Sequence, residues 1–112
     1  PVRFPGEIAV MCTLTHGPTR DFNLMVRRGV VRGELVVVRG QGATLPAADA
    51  MLCHVAAGAV ECAMDGSATQ RVGTDCTWVF TRDVTAAAST LQVRPVTDDA
   101  VALVAMITRS VQ

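Results

Sequence analysis

Short apolar segments separated by tight turns run through the middle of the chain, and this rhythm constrains the fold most. Four such segments occupy residues 51–55, 60–64, 70–72 and 77–80. Gly58, the pair Asp65-Gly66 and the trio Gly73-Thr74-Asp75 stand between them, and Asp-Gly is a strong hairpin signal. Because each segment has the length of a strand and is too short for a stable helix, the pattern predicts successive antiparallel strands.

The rest of the chain predicts further strands and no amphipathic helix. These strands occupy residues 8–14, 22–28, 34–39, 91–94 and 100–108. Residues 35–38 are apolar at every position, which indicates burial on both faces, whereas residues 29–33 and 40–46 are expected to be loops. Half of the 112 residues are hydrophobic, so we predict an all-β barrel or sandwich around a real core.

The charge balance excludes several classes of partner. Ten arginines and ten acidic residues give a net charge of zero, and the arginines form no basic stripe. We therefore expect no nucleic acid and no membrane surface as a partner. No apolar run is long enough to span a bilayer, and no secretory signal is present.

Four cysteines, Cys12, Cys53, Cys62 and Cys76, are widely spaced and form no Cys-x-x-Cys pair. A zinc ribbon or a thioredoxin-type motif is therefore not expected. Since an apolar chain of this length folds without covalent links, buried reduced thiols in a cytoplasmic protein are favoured over a disulfide framework.

The segment from residue 52 to residue 80 resembles the central hairpins of a cupin barrel, in which a glycine closes one strand and an Asp-Gly turn follows. Metal-binding cupins carry two histidines and a glutamate before that glycine. If Gly58 is the closing glycine, those positions fall on Met51 and on residues 44–47, none of which is a metal ligand. His16 and His54 are isolated, so no metal and no cofactor are expected.

Catalytic motifs are also missing from the sequence. Neither Ser67 nor Ser89 lies in a nucleophile elbow, and Gly40-Gln41-Gly42 lacks the lysine of a phosphate loop. Cys53 and His54 are adjacent in a predicted strand, so their side chains point to opposite faces and do not pair directly. These observations favour a non-catalytic role.

Residues 17–28 hold the densest polar cluster in a strand-like context. Two interpretations are open for the residues Arg20, Asp21, Asn23 and Arg27. In the first, they form a solvated turn and strand edge. In the second, they bind a small carboxylate: the guanidinium group of an arginine binds the carboxylate, Asn23 fixes its orientation and Asp21 aligns the arginine. These four residues are the candidate ligand-binding site.

The same region resembles the HutD-like family, accessory proteins of histidine utilisation. The resemblance rests on Phe4-Pro5-Gly6, Cys12-Thr13-Leu14, the stretch of residues 17–25, and Arg27-Arg28. It implies a cytoplasmic, metal-free, two-barrel cupin (bicupin) of the jelly-roll type. It also implies binding or sensing of a small acidic intermediate of histidine breakdown, such as formylglutamate or urocanate. A stress-related branch of the family leaves the pathway itself open.

The resemblance covers only the C-terminal portion of such a protein. Residues 1–28 would supply closing strands of a first, incomplete cupin barrel, and residues 29–112 would form the second barrel. Because Pro1 is not an initiator methionine, we expect a processed chain or a piece of a longer one. The missing N-terminal half or a second chain is the expected partner, and a homodimer is a further expectation.

Two other function classes remain open. One is a metal-independent, isomerase-like cupin enzyme, which would need a histidine base near an acid. The other is a structural or oligomerising β-domain that uses residues 100–108 as an edge strand.

Overall fold

A computed structural model describes Pro5 and residues 22–65, 68–81 and 90–110. Among these residues there are eight β-strands and no helix. The strands are β1 (Val31–Arg39), β2 (Ala43–Pro46), β3 (Ala50–Ala57), β4 (Val60–Met64), β5 (Gln70–Val72), β6 (Thr77–Thr81), β7 (Thr90–Pro95) and β8 (Val101–Arg109). Accordingly, the described part of the chain has no helix that could cross a membrane.

The strands form two four-stranded sheets. Sheet A has the order β1-β8-β3-β6, sheet B has the order β2-β7-β4-β5, and every pairing is antiparallel. Apart from the β4-β5 hairpin, consecutive strands therefore alternate between the sheets, which is the topology of a jelly roll. The all-β, cupin-like jelly-roll fold expected from the sequence is thus confirmed. All eight strands lie within residues 29–112, but the division into a first and a second barrel stays a prediction.

The core lies between the two sheets, and buried positions alternate along β3 and β4. On β3, Met51, Cys53 and Val55 are fully buried, and on β4 the side chains of Val60 and Cys62 face them from sheet B. No polar or charged residue of the described ranges is buried. The interior of the jelly roll is therefore filled by apolar side chains.

The start of the barrel differs from the prediction. Residues 22–27 are not a strand, and a turn at residues 28–30 follows them. The backbone amides of Val30 and Val31 both donate to the Arg27 carbonyl at 3.2 Å, and Gly29 takes a φ of +82°. This turn lets β1 begin at Val31, inside the stretch that was expected to be a loop.

Two further expectations were wrong, one about a loop and one about the place of a correctly predicted strand in its sheet. The glycines of residues 40–46 suggested a loop, yet Ala43–Pro46 pairs with β7 along its whole length. Residues 100–108 were expected to form an edge strand, yet β8 lies in the centre of sheet A between β1 and β3. The predicted strand at residues 8–14 lies outside the described residues.

The two sheets have different outer faces. By alternation, sheet A directs mainly apolar side chains outward: Leu35, Val37, Leu52, Val79, Leu103, Ala105 and Ile107. Sheet B directs mainly polar side chains outward: Thr44, Glu61, Arg71, Gln92 and Arg94. Polar outward positions are usual for a solvated antiparallel sheet, so it is sheet A that requires a covering layer.

Candidate functional site

The predicted carboxylate site is only partly within the described residues. Arg20 and Asp21 lie outside them, whereas Asn23 and Arg27 are both exposed. Asn23 and Arg27 belong to residues 22–27, a segment that we call the strap. Whether the four residues come together around a ligand stays a prediction.

One row of the strap rests on the outer face of sheet A. The Phe22 ring stacks on the His54 ring of β3, with centroids 5.7 Å apart and planes 25° apart. Leu24 and Val26 lie over Gly33 of β1, where an added Cβ would be 3.0 Å from each of them. The strap thus runs across sheet A from β3 to β1.

The opposite row of the strap faces away from the barrel. Asn23 and Arg27 are exposed, and Met25 between them keeps 85% of its surface accessible. Since alternate residues of an extended segment point to opposite sides, this row follows from the anchoring of Phe22 and Leu24. Asn23 and Arg27 are therefore presented to whatever contacts the strap from outside.

His54 is held in place on sheet A. Its Nδ1 atom hydrogen-bonds the Thr77 Oγ1 atom of β6 at 2.8 Å, and Phe22 covers its ring. Cys53 beside it is fully buried on the inner face, so the predicted opposite orientation of these two neighbours is confirmed. The arrangement makes His54 an anchor for the strap and separates it from the thiols of the interior.

The cysteines of the described residues are free thiols in two environments. Cys53 and Cys62 are buried and meet between the sheets, while Cys76 is exposed. The hydrogen bond to Cys62, together with burial, raises the pKa of the Cys53 thiol well above its usual range. A buried protonated thiol is a poor nucleophile, so Cys53 behaves as a core residue.

No three histidine, cysteine, aspartate or glutamate side chains of the described residues are grouped as a metal ion would require. No polar or charged side chain of the described residues is buried in the interior, where it could bind a metal ion. The expectation of a metal-free protein stays a prediction for the whole chain.

The outer face of sheet B carries a groove that sequence reasoning missed. It is open to solvent and has a volume of about 430 Å³. Strands β2, β4 and β7 form its floor, and neighbouring loops form its walls. Its lining residues are Gln41, Gly42, Ala43, Thr44, Glu61, Ala63, Thr69, Gln92, Val93 and Arg94.

A charged row crosses this face of sheet B. Glu61 of β4 is in register with Arg94 of β7 on one side and with Arg71 of β5 on the other. The Arg94 Nη2 atom lies 3.6 Å from the Glu61 Oε2 atom, and both side chains are accessible. The sequence shows each of these residues at an outward strand position, but only the strand order brings them together.

Gly42 shapes one wall of the groove. Its φ is +83°, and an added Cβ would collide with the Val93 carbonyl oxygen of β7. Only a glycine lets the chain enter β2 this close to β7.

Comparisons with known proteins agree with this fold. The HutD family model matches residues 1–98. No curated protein matches the chain significantly. Among solved structures, the Schizosaccharomyces pombe Cnp3 cupin domain is similar, with a TM-score of 0.54, 13% sequence identity and coverage of 78% of this chain. The chain spans 61% of that domain's length, and at this identity the likeness shows the fold alone. Because the family model covers most of the sequence, the chain belongs to the HutD family and is a cupin-fold protein related to histidine utilisation.

Proposed function

We propose that this chain is a non-catalytic cupin protein that binds a small acidic metabolite of histidine breakdown, of the formylglutamate or urocanate class, and moderates the pathway in the cytoplasm. The ligand-binding residues of this proposal are Arg20, Asp21, Asn23 and Arg27. No cofactor takes part. Family membership supports the pathway, and the structure supports the chemistry of recognition.

The observation that carries the proposal is the outward row of the strap. Anchoring of Phe22 and Leu24 on sheet A fixes the strap, so the Asn23 amide and the Arg27 guanidinium are presented on one side. A guanidinium binds a carboxylate through two parallel hydrogen bonds, and an amide supplies both a donor and an acceptor. These groups fit a small carboxylic acid better than they fit a catalytic site.

The enzyme alternative has less support from the geometry. A metal-independent isomerase would need a histidine base beside its substrate, and His54 is turned toward Thr77 beneath Phe22. In addition, Phe22 separates the His54 ring from the outward side chains Asn23 and Arg27 of the strap.

A partner polypeptide is part of the same proposal. The strap row faces away from the barrel, and Val79 on the outer face of sheet A keeps 59% of its surface accessible. We infer that the N-terminal half found in HutD-like proteins, or a second chain, contacts this side and supplies the remaining ligand groups. An apolar outer face supports such a contact.

The test is calorimetric titration of the complete protein, that is, this chain together with the N-terminal half or second chain inferred above, with formylglutamate and with urocanate. Arg27→Ala is the test variant, and Arg39→Ala is the matched control because Arg39 is an exposed arginine at the far end of β1. Loss of a charge-assisted hydrogen-bond pair costs about 1.5–3 kcal/mol, so Arg27→Ala should weaken binding about tenfold or more. No binding of either acid, or equal affinities for both variants, would refute the proposal.

A further inference from the structure

We propose that the groove on the outer face of sheet B is a second ligand site, which binds an acidic amino acid in its zwitterionic form. The site is separate from the strap, because the strap lies on sheet A and the groove lies on the opposite sheet. The groove volume of about 430 Å³ is within the usual range for a small-molecule site.

The charge pattern of the groove selects the ligand class. The register of β7, β4 and β5 sets Arg94, Glu61 and Arg71 side by side. Arg94 and Glu61 line the groove, and Arg71 lies next to it on the neighbouring strand. An acidic amino acid carries the complementary set, namely two carboxylates and one ammonium group. Each ligand carboxylate pairs with an arginine, and the ammonium group pairs with Glu61.

The Arg94 and Glu61 side chains are accessible to a ligand that would replace their mutual ion pair. The Arg94 and Glu61 side chains are 75% and 37% exposed, and their nitrogen–oxygen distance of 3.6 Å is longer than a good hydrogen bond. An exposed ion pair of this kind contributes little to stability, so a ligand separates it at small cost. The strand ladders fix the backbone positions of the three residues before the ligand binds.

Neutral residues complete the site. The small side chain of Ala63 on β4 leaves space for a ligand in the groove, and Gly42 brings the loop close to β7. Thr44 and Gln92, which are opposite each other on β2 and β7, offer hydroxyl and amide groups next to Arg94. The groove therefore has a charged side, formed by Arg94 and Glu61, and a polar, uncharged side.

The test is calorimetric titration of the full chain with L-glutamate and with N-acetyl-L-glutamate, which lacks the ammonium group. The proposal expects L-glutamate to bind the unsubstituted protein and N-acetyl-L-glutamate to bind at least fivefold more weakly. Arg94→Ala and Arg71→Ala should each lower the affinity for L-glutamate about tenfold. Glu61→Gln should remove the preference for the free amine, whereas Arg39→Ala should change nothing.

Chemical-shift mapping locates the ligand independently of affinity. L-Glutamate should shift the backbone amides of Thr44, Ala63 and Gln92 and leave those of the strap unchanged. The proposal is overturned if L-glutamate does not bind, if N-acetyl-L-glutamate binds equally well, or if Arg94→Ala keeps full affinity. Binding of L-glutamate that is lost in Arg27→Ala and retained in Arg94→Ala would overturn the groove site while leaving the strap proposal intact.

Discussion

Replacement of Gly58 by alanine tests how the barrel is closed between β3 and β4. Gly58 has a φ of +68°, and an added Cβ would collide with the Thr97 Oγ1 atom. The same Cβ would lie 2.7 Å from the Asp99 Oδ1 atom and 2.8 Å from the Ala100 Cα atom. The loop before β8 therefore packs directly on this glycine.

Hydrogen bonds make the contact difficult to relax. The Ala59 amide donates to the Thr97 Oγ1 atom at 3.1 Å, and the Val96 amide donates to the Ala59 carbonyl at 2.9 Å. Thr97 can move away from a new methyl group only by losing the first of these bonds. The Ala100 contact involves backbone, which has no rotamer to change.

Gly40 is the matched control for this substitution. It also has a positive φ, +61°, but an added Cβ would meet no atom within 4 Å. Gly40→Ala should therefore lower the free energy of unfolding by about 1 kcal/mol, which is the cost of holding a residue with a Cβ at a positive φ. Gly58→Ala adds overpacking of about 1–3 kcal/mol, for a total of about 3 kcal/mol.

Urea unfolding of both variants measures the difference. The slope with denaturant should stay unchanged, and the transition midpoint should fall much further for Gly58→Ala than for Gly40→Ala. Equal losses for the two variants would show that the loop before β8 does not press on Gly58, and the packing described for this junction would be wrong.

Three further predictions concern the core, one loop contact and the thiols. Met51→Ala should lower the free energy of unfolding by about 2–5 kcal/mol because Met51 is fully buried between the sheets; a loss below about 1 kcal/mol in urea unfolding would contradict this. Asp65→Ala should cost about 1 kcal/mol, since its carboxylate accepts bonds from the backbone amide and the hydroxyl of Thr90, and Asp65→Asn should recover part of the loss in the same assay. At pH 8, iodoacetamide should modify exposed Cys76 and leave Cys53 unmodified, because burial and the bond to Cys62 raise the pKa of Cys53; peptide mass spectrometry showing equal rates would refute that account.

The central strands could be predicted because their determinants are local, although only β4 and β5 among them pair as a hairpin. Alternation on β3 and β4 marks the buried positions, and the turns at Gly58 and Asp65 mark where the chain reverses. The start of β1 and the whole of β2 could not be predicted in this way. Both strands form because a distant strand pairs with them, β8 in one case and β7 in the other, and this pairing outweighs the glycines around them.

The candidate sites show the same division between local and long-range information. Arg20, Asp21, Asn23 and Arg27 are close in sequence, so a polar cluster was visible without a structure. The row of Arg94, Glu61 and Arg71 spans more than thirty residues of sequence and exists only in the register of three strands. An exposed charge on a strand is common, and its neighbours across the sheet decide what it can bind.

The apolar interior determines where this barrel can recognise a polar molecule. The described residues place no polar or charged side chain in the interior. A carboxylate that entered it would lose its hydration without gaining a partner, which costs many kcal/mol. Among the described residues, the groups that we propose to bind an acid are instead on the outside, Asn23 and Arg27 in the strap over sheet A and the charged residues in the groove of sheet B. Substitutions of core residues such as Val55 or Val104 should therefore change ligand affinity only as far as they change stability.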